Sequence, residues 1–201
     1  MTQRAHKATR GTVDAARDAL VVRRATADDL ETVVTLRLAL LREYPEHPVY
    51  GRLRPDIETR AHALFAAQLE SDIEVVFLAE VSGDPVGLVR CVDTVSSPLL
   101  LPERYCYVSS AYVKPEFRRR GILQALIERA RDWCDDRGLI EMRLHNVGSR
   151  KSAAGAWDAL GFEVVEQVRL LRLHRSGPAA TAVQTARTAA QSSASARSET
   201  R

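Results

Sequence analysis

Between residues 19 and 173 the apolar positions switch between two spacings, one of two residues and one of three to four, and each switch marks an element boundary. Residues 19–25 read as a short strand. Thr26-Ala27-Asp28-Asp29 then offers an N-terminal cap to a helix whose apolar positions are Leu30, Val33, Val34, Leu38 and Leu41. Pro45 and Pro48 end that helix. A second helix is predicted after Pro55, with Ile57, Ala61, Leu64, Phe65 and Leu69 on one side. Residues 74–81 and 85–95 read as strands joined by the turn Ser82-Gly83-Asp84, and residues 104–113 as a third. From Ile122 the helical spacing returns through Leu126, Ala130 and Trp133, and Gly138 stands where a helix would stop. A strand over 139–145, a helix over 151–160 and a last strand over 162–173 complete the order β-α-α-β-β-β-α-β-α-β.

The junction between the third strand of that middle group and its helix carries the most chemistry. Val113-Lys114-Pro115-Glu116-Phe117-Arg118-Arg119-Arg120-Gly121-Ile122 runs from a strand end through an arginine-rich, glycine-containing loop into an amphipathic helix. The first turn of a helix leaves backbone N–H groups unpaired at the positive end of the helix dipole, so a diphosphate can accept several donors there. Gly121 would let such a ligand come close to the backbone. Arginine supplies a permanent charge that forks onto phosphate oxygens. Three adjacent arginines before a helix are equally the pattern of a solvated loop, and the loop by itself does not separate these readings.

With Val113-x-Pro115 on the strand, Arg118-x-x-Gly121 in the loop and a later Leu160-Gly161-Phe162, residues 21–173 resemble the GNAT superfamily of acetyl-CoA-dependent N-acetyltransferases. The resemblance implies an α/β (α+β) fold with a mixed central sheet of six to seven strands flanked by about four helices. It implies acetyl-CoA as co-substrate and an amine as acceptor, attacking directly in a ternary complex. The diphosphate would lie on Arg118, Arg119, Arg120, Gly121, Ile122, Leu123 and Gln124, with Leu123 standing where relatives have a small residue. The pantetheine arm would bond to the strand at Ala111, Tyr112 and Val113. Relatives carry a tyrosine where this chain has Trp157 and often an asparagine where it has Arg150, with Asn146 four residues earlier; all three are candidates for contact with the coenzyme.

The same resemblance puts a glutamate in many relatives where this strand reads Tyr107-Val108-Ser109-Ser110. An amine acceptor with a pKa near ~10.4 is mostly protonated at neutral pH, so a base is wanted. Tyr112, Ser109 and Glu80 are the catalytic candidates, with Tyr107, Ser110, Asp93 and His145 as further members of the pool. Strict alternation would put Ser109 on the face of Tyr107, and Ser110 with Tyr112 on the other. Without the glutamate and the tyrosine, a non-catalytic acyl-CoA-binding or regulatory domain is the alternative.

Composition narrows the function classes further. The chain has 201 residues and a formal net charge of +3, but residues 174–201 carry +3 and residues 1–18 carry +2, which leaves the middle at −2. That slightly acidic middle argues against a nucleic-acid-binding face. No apolar run has membrane-spanning length and no signal segment is evident, so a cytoplasmic protein, monomer or homodimer, with neither nucleic-acid nor membrane partners is expected. From Ser176 onward Ala, Ser, Thr, Gln and Arg dominate, too little apolar surface to offset chain entropy. The expected domains are therefore 1–18 as a flexible segment, 19–175 as the folded acetyltransferase domain and 176–201 as a disordered tail. Cys91, Cys106 and Cys134 are widely spaced and the five histidines lack metal-ligand spacing, so neither a disulfide framework nor a metal is expected.

Overall fold

A computed structural model describes residues 20–147 and 151–173 of the chain. Its elements are β1 (Leu20–Arg24), α1 (Leu30–Arg42), α2 (Ile57–Leu69), β2 (Glu74–Val81), β3 (Asp84–Val95), β4 (Arg104–Val113), α3 (Ile122–Asp136), β5 (Met142–Leu144) and α4 (Lys151–Ala159). The strands form one sheet in the order β1-β2-β3-β4-β5. All neighbours are antiparallel except β4 and β5, which the α3 crossover makes parallel. This is a mixed α+β fold.

Helix starts and stops follow local chemistry. Before α1, the Asp29 carboxylate accepts from the Thr26 backbone N–H at 2.8 Å and Thr26 begins a short 3-10 turn over Ala27–Asp29, a reciprocal cap. At the far end of α3, Gly138 takes φ 66° while the Leu139 N–H bonds to the Cys134 carbonyl at 2.9 Å, closing the helix as expected.

Alternation on the strands builds two cores. Val76, Leu78, Leu88 and Tyr112 meet Val33, Val34, Leu36 and Leu38 of α1 and Ala61 and Phe65 of α2. On the opposite face Val75, Phe77, Val89, Cys91, Cys106 and Val108 are buried, as are Leu126, Ile127, Ala130, Trp133 and Cys134 of α3. Burial of such side chains contributes about 1.5–3 kcal/mol each. The three cysteines are free, buried members of that second core.

Several expectations need correction. Among the described residues the sheet has five strands rather than six to seven. Residues 162–173 form no strand. Their valines have high β propensity, but propensity by itself does not make a strand, because it reflects side-chain packing more than an intrinsic backbone preference. The strand expected over 139–145 shortens to Met142–Leu144, because only three residues pair with β4. Leu64, expected on the core side of α2, is 52% exposed, while Ala61 and Phe65 are buried in the core and Ile57 and Leu69 pack against it.

The strict alternation expected on β4 also fails, for a specific reason. Arg90 opposes Ser110 while Cys91 opposes Val108, so Ser109 is an extra residue, a β-bulge. The extra residue resets the phase of the strand. Tyr107 therefore shares the α1/α2 face with Ser110 and Tyr112 instead of opposing them.

Candidate functional site

The parallel pairing of β4 with β5 runs through Cys106–Met142, Tyr107–Arg143 and Val108–Leu144 and stops there. Among the described residues, the β5-side edge of β4 from Ser109 to Val113 therefore has no strand partner. A free strand edge offers backbone donors and acceptors to whatever lies beside it. This edge leads through a 3-10 turn over Pro115–Phe117 into the arginine loop and the start of α3.

The loop itself is sharply folded. Arg119 adopts φ 62° and Gly121 φ 76°, and Gly121 is the N-cap of α3. The first helical bond is donated by the Ala125 N–H to the Gly121 carbonyl at 3.0 Å, which leaves the N–H groups of Ile122, Leu123 and Gln124 outside the helix ladder. A Cβ placed on Gly121 would meet no protein atom within 4 Å, so there is open space at the N-cap itself. Ile122 is buried, and Leu123 contributes to a groove rather than to the core.

The three arginines do not act alike. Arg118 donates from Nε to the Val113 carbonyl at 2.9 Å, pairs through Nη2 with Glu43 just beyond α1, and stacks 5.8 Å over the Tyr112 ring. It braces the loop against α1, and its fork is already engaged. Arg120 lies 5.3 Å over the Phe117 ring, and Arg119 bonds to no described residue. Among the described residues, neither Arg119 nor Arg120 is held by an ion pair as Arg118 is.

Beside the helix start, α3 and α4 enclose a groove of about 340 Å³ lined by Leu123, Gln124, Glu128, Arg131, Ala156 and Leu160. Arg131 closes one end by donating to the Leu160 carbonyl at 2.7 Å, and Gln124 is tied to Glu128 at 2.8 Å. Trp157, on α4, is half-buried, and Asn146 is exposed just past β5. Arg150 lies outside the described residues.

The catalytic candidates are scattered. Glu80 sits on β2, two strands from β4, where Arg23 donates to it at 2.6 and 3.0 Å and to Asp29 at 2.7 and 2.8 Å. It is part of an ion triad that ties β1 to β2 and to the entry of α1, and it does not join the others. Hydrogen bonds from Arg23 hold the Asp29 carboxyl down from an ordinary 3.8 to about 2, against the opposing effect of burial. Tyr112 belongs to the α1/α2 core, and burial, followed by the Glu43 charge, pushes its hydroxyl up. Ser109 receives a hydrogen bond from Arg90 Nη1 at 2.5 Å. Asp93 is claimed by Arg104 and Arg137 on the α3 side.

A different pair is formed across β4 and the end of β5. Tyr107 shares a 3.0 Å hydrogen bond with His145 Nδ1, the residue that follows β5. Burial, then the nearby Tyr50 and Tyr105, push the Tyr107 hydroxyl up. Both residues are among the candidates named from the sequence, but only the phase shift at Ser109 puts Tyr107 on the sheet face of Ser110 and Tyr112.

A family model described as the acetyltransferase (GNAT) family matches residues 37–162. The chain belongs to the GNAT acetyltransferase family. It is 30% identical over 148 residues to an uncharacterised N-acetyltransferase of Methanocaldococcus jannaschii, covering 74% of this chain and 62% of that protein, so it spans under two thirds of that relative. An uncharacterised N-acetyltransferase of Archaeoglobus fulgidus is 31% identical over 116 residues, 58% of this chain and 74% of the relative. Among solved GNAT folds, the aminoglycoside N-acetyltransferase AAC(6')-Iy in complex with CoA matches with a TM-score of 0.64 at 23% identity, covering 78% of this chain and 95% of that one. A predicted acetyltransferase from Clostridium acetobutylicum, solved with acetyl-CoA, gives 0.64 at 19% identity over 78% and 99%. At these identities the two structures speak to the fold. Residues 37–162 are thus identified as a GNAT acetyltransferase region, and a purely binding domain is not favoured.

Proposed function

We propose that the chain transfers an acetyl group from acetyl-CoA to a primary amine by direct attack within a ternary complex. The observation that carries this is the open helix start at Gly121 set at the end of an unpaired β4 edge. The donors of Ile122, Leu123 and Gln124, with Arg119 and Arg120, suit a diphosphate. The free edge at Ala111 to Val113 suits an amide-bearing arm such as pantetheine, which can bond to it as a strand would. The groove between α3 and α4, with Trp157 on α4, is the adjoining space for the rest of the coenzyme. Arg118 serves this site indirectly, by holding the loop.

For the proton lost by the attacking amine, the Tyr107–His145 pair is our assignment in preference to Glu80, Ser109 and Tyr112. Glu80 is committed to Arg23, Ser109 to Arg90, and Tyr112 to the core. An imidazole hydrogen-bonded to a tyrosine beside the cleft can take a proton and pass it to water. The departing thiolate of CoA, with a reference thiol pKa near ~8.5, is a fair leaving group and gains from a nearby donor such as Tyr107.

The test is a titration with acetyl-CoA in a calorimeter, followed by measurement of free CoA on addition of an amine panel. Binding with amine-dependent CoA release is expected. Failure to bind CoA removes the whole reading; binding with no release across the panel removes the catalytic half.

A further inference from the structure

Inside the α1/α2 face lies a charged cluster that the transfer chemistry leaves unused. Arg90 on β3 donates from Nε to Glu74 at 2.8 Å, approaches it through Nη2 at 2.6 Å, and turns its remaining nitrogen to Ser109 on the bulge. The side chains of Arg90 and Glu74 are only 13% and 16% exposed. Arg90 is therefore satisfied, and Glu74 is occupied by it.

Arg37 of α1 enters the same cluster without a partner. Its guanidinium lies 5.0 Å over the Phe65 ring, and its Nε is buried with no hydrogen-bond acceptor. No hydrogen bond or ion pair to a described residue engages its other nitrogens. The Ser110 hydroxyl, on the same sheet face, is likewise buried and unpartnered. Two cations share one carboxylate here, and both unpartnered groups can donate. What is missing is an acceptor, and beside a guanidinium the fitting acceptor is an anion. Burial, and then repulsion by Arg90, bring Arg37 down to about 10 against the pull of Glu74, so it is still charged at neutral pH.

We propose that Arg37 docks a carboxylate of the acceptor, so that the amine acetylated here belongs to an amino acid or short peptide with a free carboxyl group. This rests on the acetyltransferase reading for the word acceptor, but the docking site is testable without turnover. The planar fork of Arg37 against the flat Phe65 ring suits a planar carboxylate held by two parallel bonds. Ser110 shares its sheet face with Tyr107, the residue assigned to the proton path.

The experiment compares the common amino acids and a set of dipeptides with their C-terminal amides, pair by pair, on the full chain saturated with CoA. Calorimetric binding and CoA release are read separately. At least one free acid should bind about tenfold or more tightly than its amide, the scale of one charge-assisted fork. Arg37→Met should bring that preference to within about twofold while leaving the amide's affinity in place. Arg37→Lys, which keeps the charge but not the fork, should fall between. Because the substitution replaces an unsatisfied buried charge by an apolar chain, the melting temperature of Arg37→Met should hold or rise. Equal binding of acids and amides throughout, a preference that survives Arg37→Met, or a melting temperature that drops with the substitution would each overturn the proposal. Arg37-dependent binding without CoA release would keep the docking site and remove the transfer reading instead. Amide-tolerant CoA release indifferent to Arg37 would do the reverse.

Discussion

Gly121 concentrates the residue-scale argument. At φ 76° a side chain costs on the order of 1–2 kcal/mol of backbone strain, yet a Cβ there meets no protein atom. Gly121→Ala should therefore lower stability by about that much and weaken CoA binding modestly. Gly121→Glu, at similar strain, should weaken CoA binding far more, because it sets a carboxylate before the helix donors; calorimetry on both variants separates strain from occupation of the site. At the proton path, Tyr107→Phe and His145→Ala should each lower kcat by about 100-fold or more with little change in KM for acetyl-CoA, the usual scale for acid–base groups. Unchanged kcat in both would mean that the proton leaves through water alone. The Asp29 carboxyl gives a pH-resolved case. Its folded value near 2 lies below the ordinary 3.8, so its stabilising contribution is complete above 3.8 and disappears as the pH falls through about 2. In urea unfolding, Asp29→Asn should cost about 1 kcal/mol at pH 7 and converge on the parent protein near pH 2, a modest figure because Arg23 is partly exposed.

Among elements, the pairing of β3 with β4 decides how the site is presented. Gly87 opposes Val113, and a Cβ on it would stand 2.7 Å from the Tyr112 carbonyl oxygen. The strands must separate to admit it. Gly87→Ala is expected to destabilise the protein by about 1–3 kcal/mol, the range for overpacking, and to reduce CoA affinity by shifting Ala111 to Val113. Thermal unfolding and CoA titration on that variant report the two effects separately, and unchanged CoA affinity in a destabilised protein would detach the β4 edge from the coenzyme site. The helices were legible because their signals are local: the Thr26 cap, the Gly138 stop and the spacing from Ile122 to Trp133 need no partner to be read. The bulge at Ser109 was not, since a run of Tyr-Val-Ser-Ser-Ala-Tyr alternates equally well with or without an extra residue. Only the opposite strand, with Arg90 against Ser110 and Cys91 against Val108, fixes the phase.

For the whole molecule, the three cysteines provide a probe of cooperativity. Cys91, Cys106 and Cys134 are buried together between the sheet and α3, and a hydrogen bond with Cys106, then burial, push the Cys134 thiol up. Thiolate is the reactive form, so in native buffer none of the three should react with an aromatic disulfide reagent on the timescale on which all three react in denaturant. Their native-state reaction rate should follow global unfolding as urea is raised. A thiol that reacts fast at zero denaturant would reveal a local opening of α3 from the sheet.

The helices, the strands from β1 to β4 and the cap and stop residues were determined by the sequence, because each depends on neighbours within a few positions. The family followed from the sequence as well. Tertiary structure decided the remainder: that Arg118 braces Glu43, that Glu80 is lost to Arg23, that Tyr107 meets His145, and that Arg37 Nε is buried without an acceptor. Ion pairs and orphaned charges depend on which side chains converge from distant segments. A one-residue bulge changes that convergence without leaving a mark in the local pattern.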